Sequence, residues 1–188
     1  TEIRYWDFKV NFQKVKFKMN KVVLIIQARM GSKRLPGKSM LDLAGKPLVS
    51  RIIERVKRCR KINEIVLAIP DTKENKILLE IGKENEISVY EGSEDNLLER
   101  YFKAAVMNSA NYIVRLPADN AVPEPNEIDK IISHHLSLNR RGFSSNLSSF
   151  FNSGYPDGIG AEIFDFSLLS EAYYKENNLE FQEHIHLN

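Results

Sequence analysis

An α/β fold, three layers with helices on both faces of a mostly parallel sheet, follows from three observations. The first is an unbroken apolar run, Val22-Val23-Leu24-Ile25-Ile26. Parallel strands lie beneath helices on both faces, so they read continuously apolar rather than alternating. The second is the alternation of such runs with helical patterns, a β-α-β-α-β-α-β-α order that requires right-handed crossovers. The third is the loop that follows the first run, from Gln27 to Lys38. Four cations (Arg29, Lys33, Arg34, Lys38) and two glycines (Gly31, Gly37) sit there. The carboxyl end of a buried strand is where α/β folds bind ligands.

The strands are expected over 22–28, 64–69, 87–90 and 111–116. The first helix runs from about 47 to 60, with Leu48, Ile52, Ile53 and Val56 on one face and Pro47 in the first turn, where proline is favoured. Cys59 falls in this helix and reads as a buried structural thiol. The second helix covers 73–85 with Ile77, Leu78 and Ile81 inward. The third covers 95–109 with Leu97, Leu98, Tyr101, Phe102 and Ala105 inward. The fourth covers 126–138 with Ile128, Ile131 and Ile132 inward, and its His134-His135 reads as a solvated pair. After residue 139 the periodicity weakens. Residues 141–146 read as a turn and a strand, 152–158 as turn-rich, and 162–166 as a strand. Ser167 then caps a helix to about 175. This last part is expected to fold back over the carboxyl ends of the strands, where a substrate pocket would lie.

Whole-chain quantities narrow the function. The chain has 188 residues and is 43% apolar, enough for one domain with a real core. Its net charge of +2 lacks the strongly basic face of a nucleic-acid binder. A single cysteine excludes an intrachain disulfide and most zinc sites. No run approaches the roughly 18 apolar residues of a membrane span, and no signal peptide is evident, so a cytoplasmic location is expected. Residues 1–20 read as an extension of unassigned role, because Met19-Asn20-Lys21 looks like a natural start. Residues 21–188 read as a single domain that stops inside a helix-like segment, 179–188, and so as truncated at the carboxyl end.

Glycines that let backbone N–H groups approach, together with Arg and Lys, suit the loop to a polyphosphate. It is not a P-loop. That motif needs four residues between its first Gly and the Gly-Lys-Ser/Thr, whereas Ser32 to Pro36 place five between Gly31 and Gly37. Pro36 also restricts the wrap of the loop.

The loop, Ala28-Arg29-Met30-Gly31-Ser32-Lys33-Arg34-Leu35-Pro36-Gly37-Lys38 followed by Gly45-Lys46-Pro47-Leu48, resembles that of the cytidylyltransferases that activate acidic sugars. These are the 3-deoxy-manno-octulosonate and acylneuraminate types. Gly92-Ser93-Glu94-Asp95-Asn96-Leu97-Leu98-Glu99-Arg100-Tyr101 is similar to the spore-coat polysaccharide branch in particular. Arg115-Leu116-Pro117-Ala118-Asp119-Asn120 stands where the family ends its fourth strand in an aspartate. Pro156-Asp157-Gly158-Ile159-Gly160-Ala161-Glu162-Ile163-Phe164 resembles a G-x-D-x-E-hydrophobic-F element. The likeness runs from about Lys21 to Leu187. It departs at Gly160, where many relatives carry a second acidic residue, at Ala121, where proline is common, and at Gln182, where Arg is common.

The resemblance implies a nucleotide-diphospho-sugar transferase-like, Rossmann-like fold and the transfer of CMP from CTP to an acidic sugar, with Mg²⁺. It implies Arg29, Lys38 and Asp119 as catalytic residues. Ala28, Arg29, Gly31, Ser32, Arg34, Lys38, Ser93 and Asp95 are implied as nucleotide-binding, Asp119, Asp157 and Glu162 as metal ligands, and His184 as a substrate contact. Homodimers are common in such relatives. The alternatives are a nucleotidyltransferase using another NTP, a glycosyltransferase-like enzyme, and a non-catalytic nucleotide-binding fragment.

Overall fold

The computed structural model describes residues 20–32, 34–147, 156 and 158–175. Asp157, His184, Gln182 and residues 1–19 and 179–188 lie outside the described residues. Strands β1 (Val22–Gln27), β2 (Glu64–Pro70), β3 (Ser88–Gly92) and β4 (Tyr112–Pro117) alternate with helices α1 (Leu48–Val56), α2 (Lys76–Glu84) and α3 (Leu97–Met107). Helix α4 (Pro125–Ser137), strands β5 (Phe143–Ser145) and β6 (Glu162–Asp165), and helix α5 (Phe166–Lys175) follow.

Among the described residues the sheet has the order β3-β2-β1-β4-β6-β5. The strands β1 to β4 pair parallel, with Ile25 opposite Val66 on one side and Arg115 on the other. β6 runs antiparallel to both β4 and β5. The sheet is therefore mostly parallel, as expected, with an antiparallel edge supplied by the weakly patterned part of the chain.

Alternate residues of β1 explain the two-sided core. Val22, Leu24 and Ile26 pack with α1, α2 and α4 through Val49, Ile53, Leu78, Ile128 and Ile132. Val23 and Ile25 pack with α3 and α5 through Leu98, Tyr101, Ala105 and Leu169. A strand covered on both faces has no position that tolerates a charge, so its sequence is apolar throughout.

Several expectations are corrected. Helix α1 ends at Val56, so Cys59 lies in the following loop. There it is half-buried, and burial, with Asp129 and Glu124 nearby, pushes its thiol up to about 12. Residues 73–75 form a 3-10 turn before α2, and Ile77 is 48% exposed rather than inward, because the short helix turns Leu78 and Ile81 to the core. Ser167 lies inside the first turn of α5 and does not precede it. His135 is 2% exposed. Its Nδ1 bonds Ser144 Oγ at 2.8 Å and its Nε2 faces Asp165 Oδ2 at 3.3 Å. The pair with His134 is thus split, one solvated and one buried beneath the antiparallel edge.

Candidate active site

The chain runs outward from β1 through β2 to β3, then crosses back to lay β4 on the opposite side of β1. The connections after β1 and β4 therefore diverge and leave a crevice at the carboxyl ends of these two strands. A cleft of about 350 Å³ occupies this place. Its walls carry Ala28, Arg29, Arg34 and Lys38 from the first loop, Glu94, Asp95 and Arg100 from the β3–α3 connection, and Arg115 and Asp119 from β4 and its exit. A second depression, of about 200 Å³, lies at the opposite ends of the strands, among residues such as Val56, Ile62, Glu64 and Ile87. It gathers no such cluster of cations.

The first loop is held by its own backbone. The carbonyl of Met30 accepts from the amides of Ser32 and Gly37, each at 2.9 Å, and the amide of Met30 donates to Asn75 Oδ1 at 2.8 Å. Gly37 has φ 70° and ψ 13°, a left-handed conformation that glycine adopts without steric cost. The turn at Gly37 starts the 3-10 segment Lys38–Met40. The Ser32 amide, expected to meet phosphate, is thus engaged within the loop, while the Gly31 amide has no partner among the described residues. Ala28 donates its N–H to Ala68 O at 3.2 Å, leaving its carbonyl for a ligand.

Lys38 Nζ lies 2.6 Å from Asp119 Oδ2 and joins the two loops across the crevice. Ser93 Oγ accepts from the Asn96 amide at 3.0 Å, and Asn96 Oδ1 accepts from the Glu99 amide at 2.8 Å. This cap starts α3 and fixes the loop carrying Asp95.

A polar layer lies under the cleft on the α3 side of the sheet. Tyr101 is fully buried and its hydroxyl donates to Gln27 Oε1 at 2.9 Å. Arg115 Nη1 donates to Glu162 Oε2 at 2.6 Å, with side-chain exposures of 10% and 1%. Burial opposes the charge on Arg115, but Tyr101 and Glu162 outweigh it, and its pKa is raised. Glu162, expected as a metal ligand, lies within the sheet against Arg115, and its Oε1 is buried without a partner. Among the described residues, no three His, Cys, Asp or Glu side chains converge as a metal cluster.

Gly160, the departure from the acidic position, has a physical reason. A Cβ there would sit 2.6 Å from Asn146 Oδ1 and 3.0 Å from Asn146 O. Asn146 fills this space because its Oδ1 accepts from the Ala161 amide at 2.9 Å and its Nδ2 donates to Glu127 O at 3.2 Å.

Sequence reading brought Ala28, Arg29, Arg34, Lys38, Asp95 and Asp119 to one cleft and missed Arg100 and Arg115. Arg115 stands inside an otherwise apolar run, Ile113-Val114-Arg115-Leu116, and Arg100 at an inward position of the helical pattern between Leu97 and Ala104, so periodicity assigns both to the core.

The family that matches residues 23–187 is described as cytidylyltransferase. The spore coat polysaccharide biosynthesis protein SpsF of Bacillus subtilis is 30% identical over 174 residues, covering 90% of this chain and 70% of that protein. A 3-deoxy-manno-octulosonate cytidylyltransferase of Anaeromyxobacter sp. (strain K) is 33% identical over 116 residues, 61% of this chain and 47% of the relative. The chain spans 65% of the length of protein MJ1063 of Methanocaldococcus jannaschii, to which it is 30% identical over 165 residues and 88% of its own length. Among solved structures, a cytidylyltransferase from Leptospira borgpetersenii superposes with a TM-score of 0.82 at 32% identity, covering 88% of this chain and 69% of that one.

Proposed function

Because the chain belongs to the cytidylyltransferase family, we propose that it transfers CMP from CTP to an acidic sugar. The products are a CMP-sugar for surface polysaccharide or glycan biosynthesis and pyrophosphate, made in the cytoplasm. The observation that carries this reading is the convergence of Arg29, Arg34, Lys38 and Asp119 on one cleft at the switch point of the sheet. The likeness to a 3-deoxy-manno-octulosonate cytidylyltransferase supports an acidic acceptor.

In this reaction a sugar hydroxyl attacks the α-phosphorus of CTP while the bond to the bridging oxygen breaks and pyrophosphate leaves. Negative charge grows on the leaving oxygens, so the protein's task is to position the groups in line and to neutralise that charge. Arg29, Arg34 and Lys38 supply the cations. The Ala28 carbonyl and the Ser93–Asp95 loop supply fixed groups for the cytosine edge. Mg²⁺ takes one or two carboxylates along with water and phosphate oxygens, and a half-exposed Asp119 beside the cations fits that donor set. When bound, the ion would supply further charge neutralisation on the phosphates. In this reading Glu162 Oε2 serves Arg115 rather than the ion.

The test is pyrophosphate release from CTP, ATP, GTP and UTP with Mg²⁺ against a panel of acidic sugars. CTP-selective release that needs a sugar acid supports the reading. Equal turnover of another NTP, or release only with the phosphate of a neutral sugar, overturns it.

A further inference from the structure

Arg100 lies in the first turn of α3, is only 4% exposed, and still lines the cleft. A charge in this place is opposed three ways. Burial strips its water and lowers its pKa. The neighbouring guanidinium of Arg29 repels it. The amino end of a helix carries a partial positive charge, which repels cations. Against these stand two backbone carbonyls, since Arg100 Nη1 donates to Ser93 O and, at 3.5 Å, to Glu94 O. Tyr101, and after it Glu94 and Tyr90, offset part of the lowering, yet among the described residues no carboxylate forms an ion pair with Arg100. Its Nε is buried with no partner. Arg115, the other deep cation of the cleft, also has an unpartnered Nε, but it is matched by the Glu162 carboxylate. Two buried arginines thus face one cleft, one matched by a carboxylate and one left without.

A buried polar group without a partner in a native protein calls for a reason, and a buried unpaired charge is costly. An anion placed between Arg29 and Arg100 offsets these penalties together, because it screens the two guanidinium groups from each other, complements the helix end and supplies the counter-charge that the buried guanidinium lacks. The forked donors of a guanidinium also match phosphate oxygens.

We propose that Arg100 is a further binding residue of the cleft, which together with Arg29 holds a phosphate or pyrophosphate group. The assignment of that group to the nucleotide rests on the cytidylyltransferase reading. The two carbonyls of Ser93 and Glu94 fix the guanidinium in advance, so little freedom is lost when the anion arrives.

The experiment is calorimetric titration of the full 188-residue chain with pyrophosphate, which has no base, and with cytidine, which has no phosphate. The wild type is compared with Arg100→Met and Arg100→Lys. Arg100→Met is expected to weaken pyrophosphate at least tenfold and to leave cytidine unchanged, and Arg100→Lys is expected to restore part of the loss because it keeps the charge. If Arg100→Met weakens cytidine and pyrophosphate equally, Arg100 is only a peg for the Ser93–Asp95 loop and the proposal fails. It also fails if the wild type does not bind pyrophosphate or if Arg100→Met binds it as the wild type does. A wild type that binds pyrophosphate but not cytidine counts against the cytidylyl reading and leaves the role of Arg100 standing.

Discussion

Lys38 and Asp119, 81 residues apart in sequence, meet at 2.6 Å across the switch point between β1 and β4. The pair ties the loop that carries the cations to the strand end that carries the carboxylate. It is partly exposed, at 25% and 45%, and exposed pairs stabilise folds by at most about 1 kcal/mol. Lys38→Ala should therefore leave stability within about 1 kcal/mol of the wild type. Loss of a group aimed at developing charge typically costs about 10²–10³ in rate, and that loss is expected in CTP turnover. Denaturant midpoints and steady-state rates measured on one preparation check this. Wild-type turnover in Lys38→Ala would remove Lys38 from the site.

Arg115 and Glu162 form a buried pair with the opposite profile. Removing one partner leaves an uncompensated charge, so Glu162→Ala should cost about 3–5 kcal/mol in urea unfolding. Replacing both, as Arg115→Met with Glu162→Leu, should recover most of that stability, since paired apolar replacement of buried ions is often neutral. A double variant as unstable as the single one would show that the pair does not act as a unit.

Gly160 has no room for a side chain, because Asn146 Oδ1 and O lie 2.6 and 3.0 Å from where its Cβ would be. Gly160→Ala is expected to destabilise by about 1–3 kcal/mol, as for other overpacked positions. Gly160→Asp, which restores the acidic residue of many relatives, should fold less well still and should not raise activity. A stable, more active Gly160→Asp would mean that Asn146 yields easily and that the departure at this position is incidental.

His135 makes stability depend on pH. Burial lowers its pKa from 6.5, with Asp165 opposing and His134 assisting the shift. Ser144 and the ring of Tyr112 complete its surroundings. The unfolded chain therefore takes up a proton near pH 6.5 that the folded chain resists. Under linkage, this contribution to stability is fully present above that pH and is lost progressively as the pH falls toward the lower folded value. Urea midpoints at about pH 7.5 and about pH 5.5 should differ more for the wild type than for His135→Gln. Equal differences in the two proteins would rule His135 out as the source.

Much of the site was legible because its residues lie next to strong local patterns. Arg29 and Asp119 lie just beyond the ends of buried strands, Lys38 closes the loop that the first of these strands opens, and buried strands announce themselves as apolar runs. Arg100 and Arg115 were not legible, because each occupies a position that periodicity assigns to the core. Only packing shows that these positions open on the cleft. His135 was misread for a related reason. It falls seven residues after Ile128 and three after Ile132, on the inward face of α4, yet its polar ring reads, with His134, as solvated, and only β5 and β6, arriving from later in the chain, show what covers it.

By itself the sequence determined the alternation of strands and helices, the two-sided core, the basic loop and the membership that its motifs imply, because each is written in contacts or residue types close along the chain. The tertiary structure alone decided the antiparallel edge, the pairing of Lys38 with Asp119 and of Arg115 with Glu162, the filling of the space at Gly160 by Asn146, and the unmatched burial of Arg100. These depend on which distant segments meet, and that is fixed by strand order and packing, which no local pattern encodes.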